Sequence, residues 1–235
     1  MRLSIVIPTR NRLVALERLI RGLEAQKLPS SDFHIIVSVD GPGDAERAAI
    51  GRLQPRTRID VVDGAPNGPG AARNRAMPLI EAPTVLLLND DVIPEADLAS
   101  GHLAAHAGLA RPAMVLGSAP WRITDPDRVI DRMVRETSMV FFFDQMTGDR
   151  ARNPDHDWGY RHAWTLNLSM PTAALRAAGG FATGLRYPVY EDVEMAYRVV
   201  DQTGMPVVFR PECAVTHDHR YEARALIRRE VLLGH

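Results

Sequence analysis

The chain has 235 residues, with 28 basic and 29 acidic side chains for a formal charge of -1, and 46% of its residues are hydrophobic. These values fit a globular protein with a sizeable core, and they exclude a disordered or collagen-like chain and any overall field that would gather nucleic acid. Cys213 is the only cysteine, which excludes an internal disulfide and a multi-cysteine zinc site and makes a reducing, cytoplasmic location the expected one.

Leu3 to Ile7 is a short apolar run ended by Pro8, too short for a secretory h-region and read as a buried strand. Leu13, Leu16, Leu19, Ile20 and Leu23 recur at helical spacing, and Ile35 to Val39 is a second apolar run. A helix at Asp44 to Leu53, a strand at Ile59 to Val62, a helix from about Gly70 to Ile80 and a strand at Val85 to Leu88 repeat the alternation. It predicts a mostly parallel, Rossmann-like sheet with helices on both faces. A helix at Pro94 to Ala107 and a strand at Ala113 to Ser118 follow, and the polar stretch Asp144 to His162 reads as a long loop.

Beyond it the pattern predicts an extended segment near Leu166 to Ser169, a short helix ending at Gly179-Gly180 and a helix at Glu191 to Gln202. Strands at Val207 to Phe209 and Ala214 to Thr216 come next. Leu226, Ile227, Val231 and Leu233, with Arg224, Arg228 and Arg229, form an amphipathic basic helix, expected to dock on the domain while leaving room for peripheral contact with a membrane face. No run approaches the roughly 18 apolar residues of a membrane span, Met139 to Phe143 being among the longest. With no linker and no internal repeat, the chain reads as a single domain.

Ligands of open parallel sheets bind beyond the carboxyl ends of the strands, which directs attention to Pro8-Thr9-Arg10-Asn11, Asp40-Gly41, Gly64 onward and Asn89-Asp90-Asp91. The two adjacent carboxylates after the fourth strand are hard oxygen ligands suited to Mg²⁺ or Mn²⁺ shared with a phosphate-bearing ligand; a polar turn capping the next helix would use the same residues. Gly68-Pro69-Gly70-Ala71-Ala72-Arg73-Asn74-Arg75 runs into a helix whose N-terminus and arginines would favour a diphosphate, although Arg73 stands where a dinucleotide fingerprint has its third glycine. Tyr190-Glu191-Asp192-Val193-Glu194 begins a helix after Gly179-Gly180-Phe181, where carboxylates also complement the helix dipole. In His217-Asp218-His219, His217 could complete a metal site or be an ordinary surface histidine.

In this order and spacing, Pro8-Thr9-x-Asn11-Arg12, Val39-Asp40-Gly41, Gly70 to Asn74, Asn89-Asp90-Asp91, Gly179-Gly180-Phe181, Glu191-Asp192 and His217 resemble the signature of family 2 glycosyltransferases, over about residues 3 to 219. The resemblance implies a GT-A fold in one continuous domain, with a nucleotide-sugar-binding half at 1-118 and an acceptor-binding and catalytic half at 119-235. It implies an inverting, metal-assisted transferase that moves a sugar from a UDP- or dTDP-sugar donor to a hydroxyl of a glycan, lipid-linked or other acceptor. Pro8, Thr9 and Arg10 would line the nucleoside pocket, Asp40 would contact the base, and Arg73, Asn89 and Asp90 would lie against the nucleotide. Asp91 and His217 would bind the divalent ion, Mn²⁺ or Mg²⁺. Asp192 would be the catalytic base, with Glu191 beside it. Asn89 departs from the pattern by replacing the first carboxylate of D-x-D.

Aromatic faces of Trp158, Tyr160 and Trp164 would suit stacking on acceptor sugar rings, or ordinary packing. Two alternatives share the scaffold. A non-catalytic nucleotide-sugar or glycan-binding protein gains support from Asn89, and a sugar nucleotidyltransferase would need a Gly-rich basic loop after the first strand, where Pro8 to Arg12 has no glycine.

Overall fold

The computed structural model describes residues 1–125, 128–137, 140–141, 143–146, 148–185 and 190–233. The first half alternates as its apolar pattern predicts: β1 (Leu3–Thr9), α1 (Leu13–Glu24), β2 (Phe33–Asp40), α2 (Asp44–Leu53), β3 (Ile59–Gly64), α3 (Gly68–Ala76) and β4 (Thr84–Leu88). β1 and β2 are buried along their whole length, as strands in a sheet covered on both faces are, and the apolar runs Ile5 to Ile7 and Ile35 to Val37 form their centres. Leu16, Leu19, Ile20 and Leu23 form the buried stripe of α1.

A short β5 (Val92–Pro94) follows β4, then α4 (Leu98–Gly108) and β6 (Met114–Gly117). The second half adds α5 (Val129–Glu136), α6 (Gly148–Arg152), β7 (Asn167–Pro171), α7 (Thr172–Ala177), α8 (Glu191–Thr203), β8 (Val207–Arg210), β9 (Val215–His217) and α9 (Ala223–Leu233). Among the described residues the main sheet runs β3-β2-β1-β4-β7-β6-β8, and β5 pairs with β9 in a separate two-stranded sheet. The neighbours β3, β2, β1 and β4 are parallel, as are β6 and β8, while β7 lies antiparallel between β4 and β6. This is a single α/β domain with a mostly parallel central sheet.

Three expectations need correction. The third helix stops at Ala76 rather than Ile80 because Pro78 cannot continue it, and the chain tightens into a 3-10 turn at Met77–Leu79. Pro94 ends β5 instead of opening α4, which starts at Leu98. The stretch Asp144 to His162 is broken by α6 and by 3-10 turns at Phe143–Gln145 and Tyr160–His162, elements too short to leave an apolar period. In the apolar run Met139 to Phe143, Met139 and Phe142 lie outside the described residues.

Candidate active site

Three strand ends and one helix start meet at the carboxyl edge of the sheet. Pro8 stands in a central strand, which its missing N–H would normally forbid. It is tolerated because β1 pairs with β4 only from Leu3 to Val6, leaving Pro8 beside Ser38 of β2 alone. Beyond it the chain turns through Asn11 at a left-handed φ of 55°, which returns Arg12 across the strand end. Thr9 Oγ1 donates to Asp90 Oδ2 at 2.8 Å, and Arg12 Nη1 reaches Asp90 Oδ1 at 3.2 Å and Asp91 Oδ2 at 2.5 Å.

β5 carries the acidic triplet to its partner histidines. The antiparallel register sets Val92 opposite His217, so His217 Nε2 lies 3.5 Å from Asp91 Oδ1 and His219 Nδ1 lies 3.0 Å from Asp91 Oδ2. Trp121 covers His217 with ring centroids 4.2 Å apart. Burial opposes ionisation of Asp91, but the two histidines beside it and the charge of Arg12 outweigh it, holding its carboxyl well below the usual range. Asp90 moves the other way, raised by burial and by the charge of Asp91 against the pull of Arg12 and Thr9.

The donor set can be tested against a divalent ion. Asp91, His217 and His219 each offer one ligand atom, all within 4.8 Å of one another. Asp91 Oδ1 is buried and has no hydrogen-bond partner, an oxygen left to a ligand of another kind. One carboxylate with two imidazoles suits a first-row transition ion such as Mn²⁺ better than Mg²⁺, which prefers an all-oxygen shell.

On the neighbouring strand end Asp40 is buried and already engaged. Its Oδ1 accepts from the backbone N–H of Asn67 at 2.7 Å and of Gly68 at 3.1 Å, so it shapes the loop that opens α3. Arg10 makes only a long contact to Asp40 Oδ2, 3.5 Å, and its side chain is 57% exposed. Arg10 lines a cleft of about 320 Å³ together with Asn67, Gly70, Ala71, Ala182 and Glu191, and Asp40 holds the Asn67–Gly68 part of its wall.

Arg73 does not project into that cleft as a free cation. It is buried, and its fork divides between Asn89 Oδ1, 2.9 Å, and Glu191 Oε1, 3.0 Å, with its guanidinium 5.3 Å from the Phe181 ring centre. Here Asn89 serves as an acceptor for Arg73. The next residue of α3, Asn74, clamps the Gly-Gly-Phe turn, accepting from Phe181 N–H at 2.8 Å and donating to Phe181 C=O at 2.7 Å. Gly180 has φ 73°, and a Cβ there would fall 2.4 Å from Asn74 Oδ1, so only glycine allows the clamp.

Asp192 accepts from Val193 N–H at 2.8 Å and, more weakly, from Thr165 N–H at 3.4 Å. Burial, with the charge of Glu191 adding to it and Arg73 opposing, pushes its carboxyl up to about 6. Glu194, two residues on, is engaged in an ion pair with Arg198, 2.6 Å. Tyr190, which precedes the pair, is held in the left-handed region at φ 65°, an uncommon conformation for a residue with a side chain.

Arg12 and His219 complete the site, although neither stood out as a site residue in the sequence. The available signals are the Asn11-Arg12 step soon after a strand and the His-x-His alternation that begins at the last residue of β9. The aromatic expectation resolves toward packing: Trp164 is buried against Phe141 and Phe143, while Trp158 and Tyr160 lie half-buried on the core. In α9, Leu226 faces inward whereas Ile227 and Val231 are exposed, and no helix among the described residues is long and apolar enough to cross a membrane.

A mostly parallel sheet with Asn89-Asp90-Asp91, the histidines that end and follow β9, and a Glu-Asp helix start at its carboxyl edge defines a GT-A glycosyltransferase scaffold. Residues 4–164 match the profile of Glycosyl transferase family 2, and the chain belongs to that family. It is 30% identical to a validoxylamine A glucosyltransferase of Streptomyces hygroscopicus subsp. jinggangensis, over 94% of this chain and 57% of the relative. It is 25% identical to a pre-mycofactocin glycosyltransferase of Mycobacterium tuberculosis, over 98% of this chain and 46% of the relative. The chain thus spans about half the length of the curated relatives it matches. Among solved structures, S. aureus TarS in complex with UDP-GlcNAc superposes with a TM-score of 0.73 over 97% of this chain and 61% of its own, at 16% identity. The mannosyltransferase PcManGT of Pyrobaculum calidifontis, in complex with GDP-Man and Mn²⁺, gives 0.68 over 94% and 58%, also at 16% identity.

Proposed function

We propose that the protein is an inverting glycosyltransferase that moves a sugar from a UDP- or dTDP-sugar to an acceptor hydroxyl with the help of a divalent ion. The observation that carries this reading is the Arg73 fork, which ties Asn89 of the acidic triplet to Glu191 beside Asp192 and so joins the two candidate sites in one network. In this reading residues 1-118 hold the donor, and residues 119-235 bring the acceptor and the base. Pro8, Thr9 and Arg10 border the nucleoside pocket. Asp40 accepts the ring N–H of uracil or thymine where Arg10 now makes its long contact, and Arg73, Asn89 and Asp90 set the shape of the floor beneath the diphosphate.

Asp91, His217 and His219 would hold the ion, which supplies positive charge to the leaving diphosphate when bound. The carboxylate of Asp192 takes the proton of the acceptor hydroxyl as that oxygen bonds to the anomeric carbon and the bond from that carbon to the phosphate oxygen breaks. One base and one displacement invert the anomeric centre. The acceptor belongs to the glycan, lipid-linked or other hydroxylated class, met in the cytoplasm or at the inner face of its membrane.

A panel of nucleoside diphosphates and their sugars, scored by thermal shift with and without Mn²⁺, tests the reading. UDP or dTDP ligands should raise Tm more than ADP or GDP ligands, and more with Mn²⁺ than with EDTA. Absence of a shift with every nucleotide, in either condition, would overturn it.

A further inference from the structure

Beneath the site lies a chain of buried polar groups. Asn167 opens β7 and is wholly buried. Its Nδ2 donates to Cys213 C=O at 2.8 Å and to Ser118 C=O at 3.1 Å, which leaves Oδ1 to accept from His102 Nε2 at 2.9 Å. With Nε2 carrying the proton, neutral His102 has Nδ1 free to accept the Ser169 hydroxyl proton at 2.7 Å, and Ser169 Oγ in turn accepts from His106 Nε2 at 2.8 Å. Every proton has one direction, so the amide cannot flip.

The position of this amide gives it a further use. Asn167 pairs with Leu88, the residue before the Asn89-Asp90-Asp91 triplet. The carbonyls it joins belong to the two segments that run side by side toward His217: Val215 N–H donates to Ser118 C=O at 3.0 Å and His217 N–H to Pro120 C=O at 2.8 Å. Asn167 is therefore tied by its backbone to the arm bearing Asp91 and by its side chain to the two segments that lead to His217. The junction leaves no room for another arrangement, since a Cβ on Gly117 would fall 2.2 Å from Asn167 Nδ2 and 2.1 Å from Cys213 O.

We infer that Asn167, oriented by the His106–Ser169–His102 chain, is a positioning residue that fixes His217 relative to Asp91. The inference deepens the proposed function and rests on the reading of Asp91 and His217 as ion ligands. It acts without touching donor, ion or acceptor. Groups that hydrogen-bond a metal's ligands typically carry 10–100-fold in metal affinity, and Asn167, one step further out, should carry about the lower end of that range.

The test compares Asn167→Ala with Ile36→Ala, a core variant of β2 expected to lose comparable stability away from the site. Two quantities are read: Mn²⁺ affinity by calorimetry, and the His217 ring resonance by NMR, assigned by its loss in His217→Gln. Asn167→Ala should weaken Mn²⁺ binding by about 10-fold and move the His217 resonance, whereas Ile36→Ala should change neither. If Asn167→Ala does not fold, His102→Leu, which keeps the amide but removes the donor that orients it, should show the same changes to a smaller degree. An unmoved His217 resonance in a folded variant overturns the inference. If the unmodified protein binds no Mn²⁺, the ion reading fails by itself, and the resonance still decides the role of Asn167.

Discussion

Arg73 on α3 and Glu191 at the start of α8 form an ion pair of 3.0 Å with side chains only 2% and 10% exposed, across 118 residues of sequence. Such a pair is a weak source of net stability, because desolvation offsets the attraction, but removing one partner strands the other charge out of water. Arg73→Ala should therefore lower unfolding stability by roughly 3–5 kcal/mol, as measured by denaturant titration. Glu191→Gln, which keeps a hydrogen-bond acceptor for Arg73, should cost less. Equal, small losses in both variants would show that the pair is not buried in solution.

The ion site gives a second prediction. UDP should bind more tightly with Mn²⁺ than with EDTA, and Asp91→Ala should abolish the difference, because it removes both the buried free oxygen and the shared partner of the two histidines. His219→Ala should reduce the difference without abolishing it. Calorimetric titration of each variant with UDP, with and without the ion, measures both effects; metal enhancement retained in Asp91→Ala would refute the assignment.

Asp40 should select the base. Asp40→Ala is expected to weaken UDP or dTDP binding several-fold. Part of the loss comes through the loop, since the Asn67 and Gly68 amides lose their acceptor. Tighter binding of ADP than UDP by the unmodified protein would contradict the proposed contact.

For Asp192, the raised pKa has a direct kinetic consequence. A carboxyl held up to about 6 is a competent base only above that pH, so turnover should fall as pH drops through about 6. Asp192→Asn should retain donor affinity and lose roughly 10²–10⁴-fold in transfer. With a working donor and acceptor, near-normal transfer by this variant would remove Asp192 from the role.

Acid stability should report the buried histidines. Burial holds His102 and His106 down to about 4, against an ordinary value of 6.5, so the unfolded chain takes up their protons first. Their contribution to stability is complete above pH 6.5 and is lost progressively as pH falls toward 4. Asp192 works in the opposite sense over a similar window, but it is one group against two. Tm should fall between pH 6.5 and 4, and His102→Gln should flatten the slope. A Tm independent of pH across this range would mean that the pair is hydrated.

The parallel half of the fold is legible because a strand buried on both faces is built around an apolar run and its covering helix is amphipathic; Ile5 to Ile7 in β1, Ile35 to Val37 in β2 and the stripe of α1 meet these conditions. The candidate residues are legible as motifs at strand ends and helix starts, and Asp91, His217, Asp192 and Arg73 lie near one edge of the sheet. What remained hidden was pairing between distant segments. Nothing local in Val92 to Pro94 announces a strand, because β5 exists only by pairing with β9, and that register brings His219 to Asp91. Arg12 was equally hidden: its contact depends on the left-handed turn at Asn11, a conformation the sequence permits but does not demand. Arg73, read as a cation facing a nucleotide, gave no sign that a carboxylate 118 residues away would claim it.

The place of β7 bears on whether the chain can be dissected. β6 belongs by sequence to the first half, yet its sheet neighbours are β7 and β8, both from the second. A cut at residue 118 would leave β4 with an open edge and β6 with no strand beside it. Neither fragment would be a foldable unit, and mixing the two should restore structure only by strand insertion between them. Donor and acceptor halves can therefore be distinguished by what they would bind, while the folding unit remains the entire sheet.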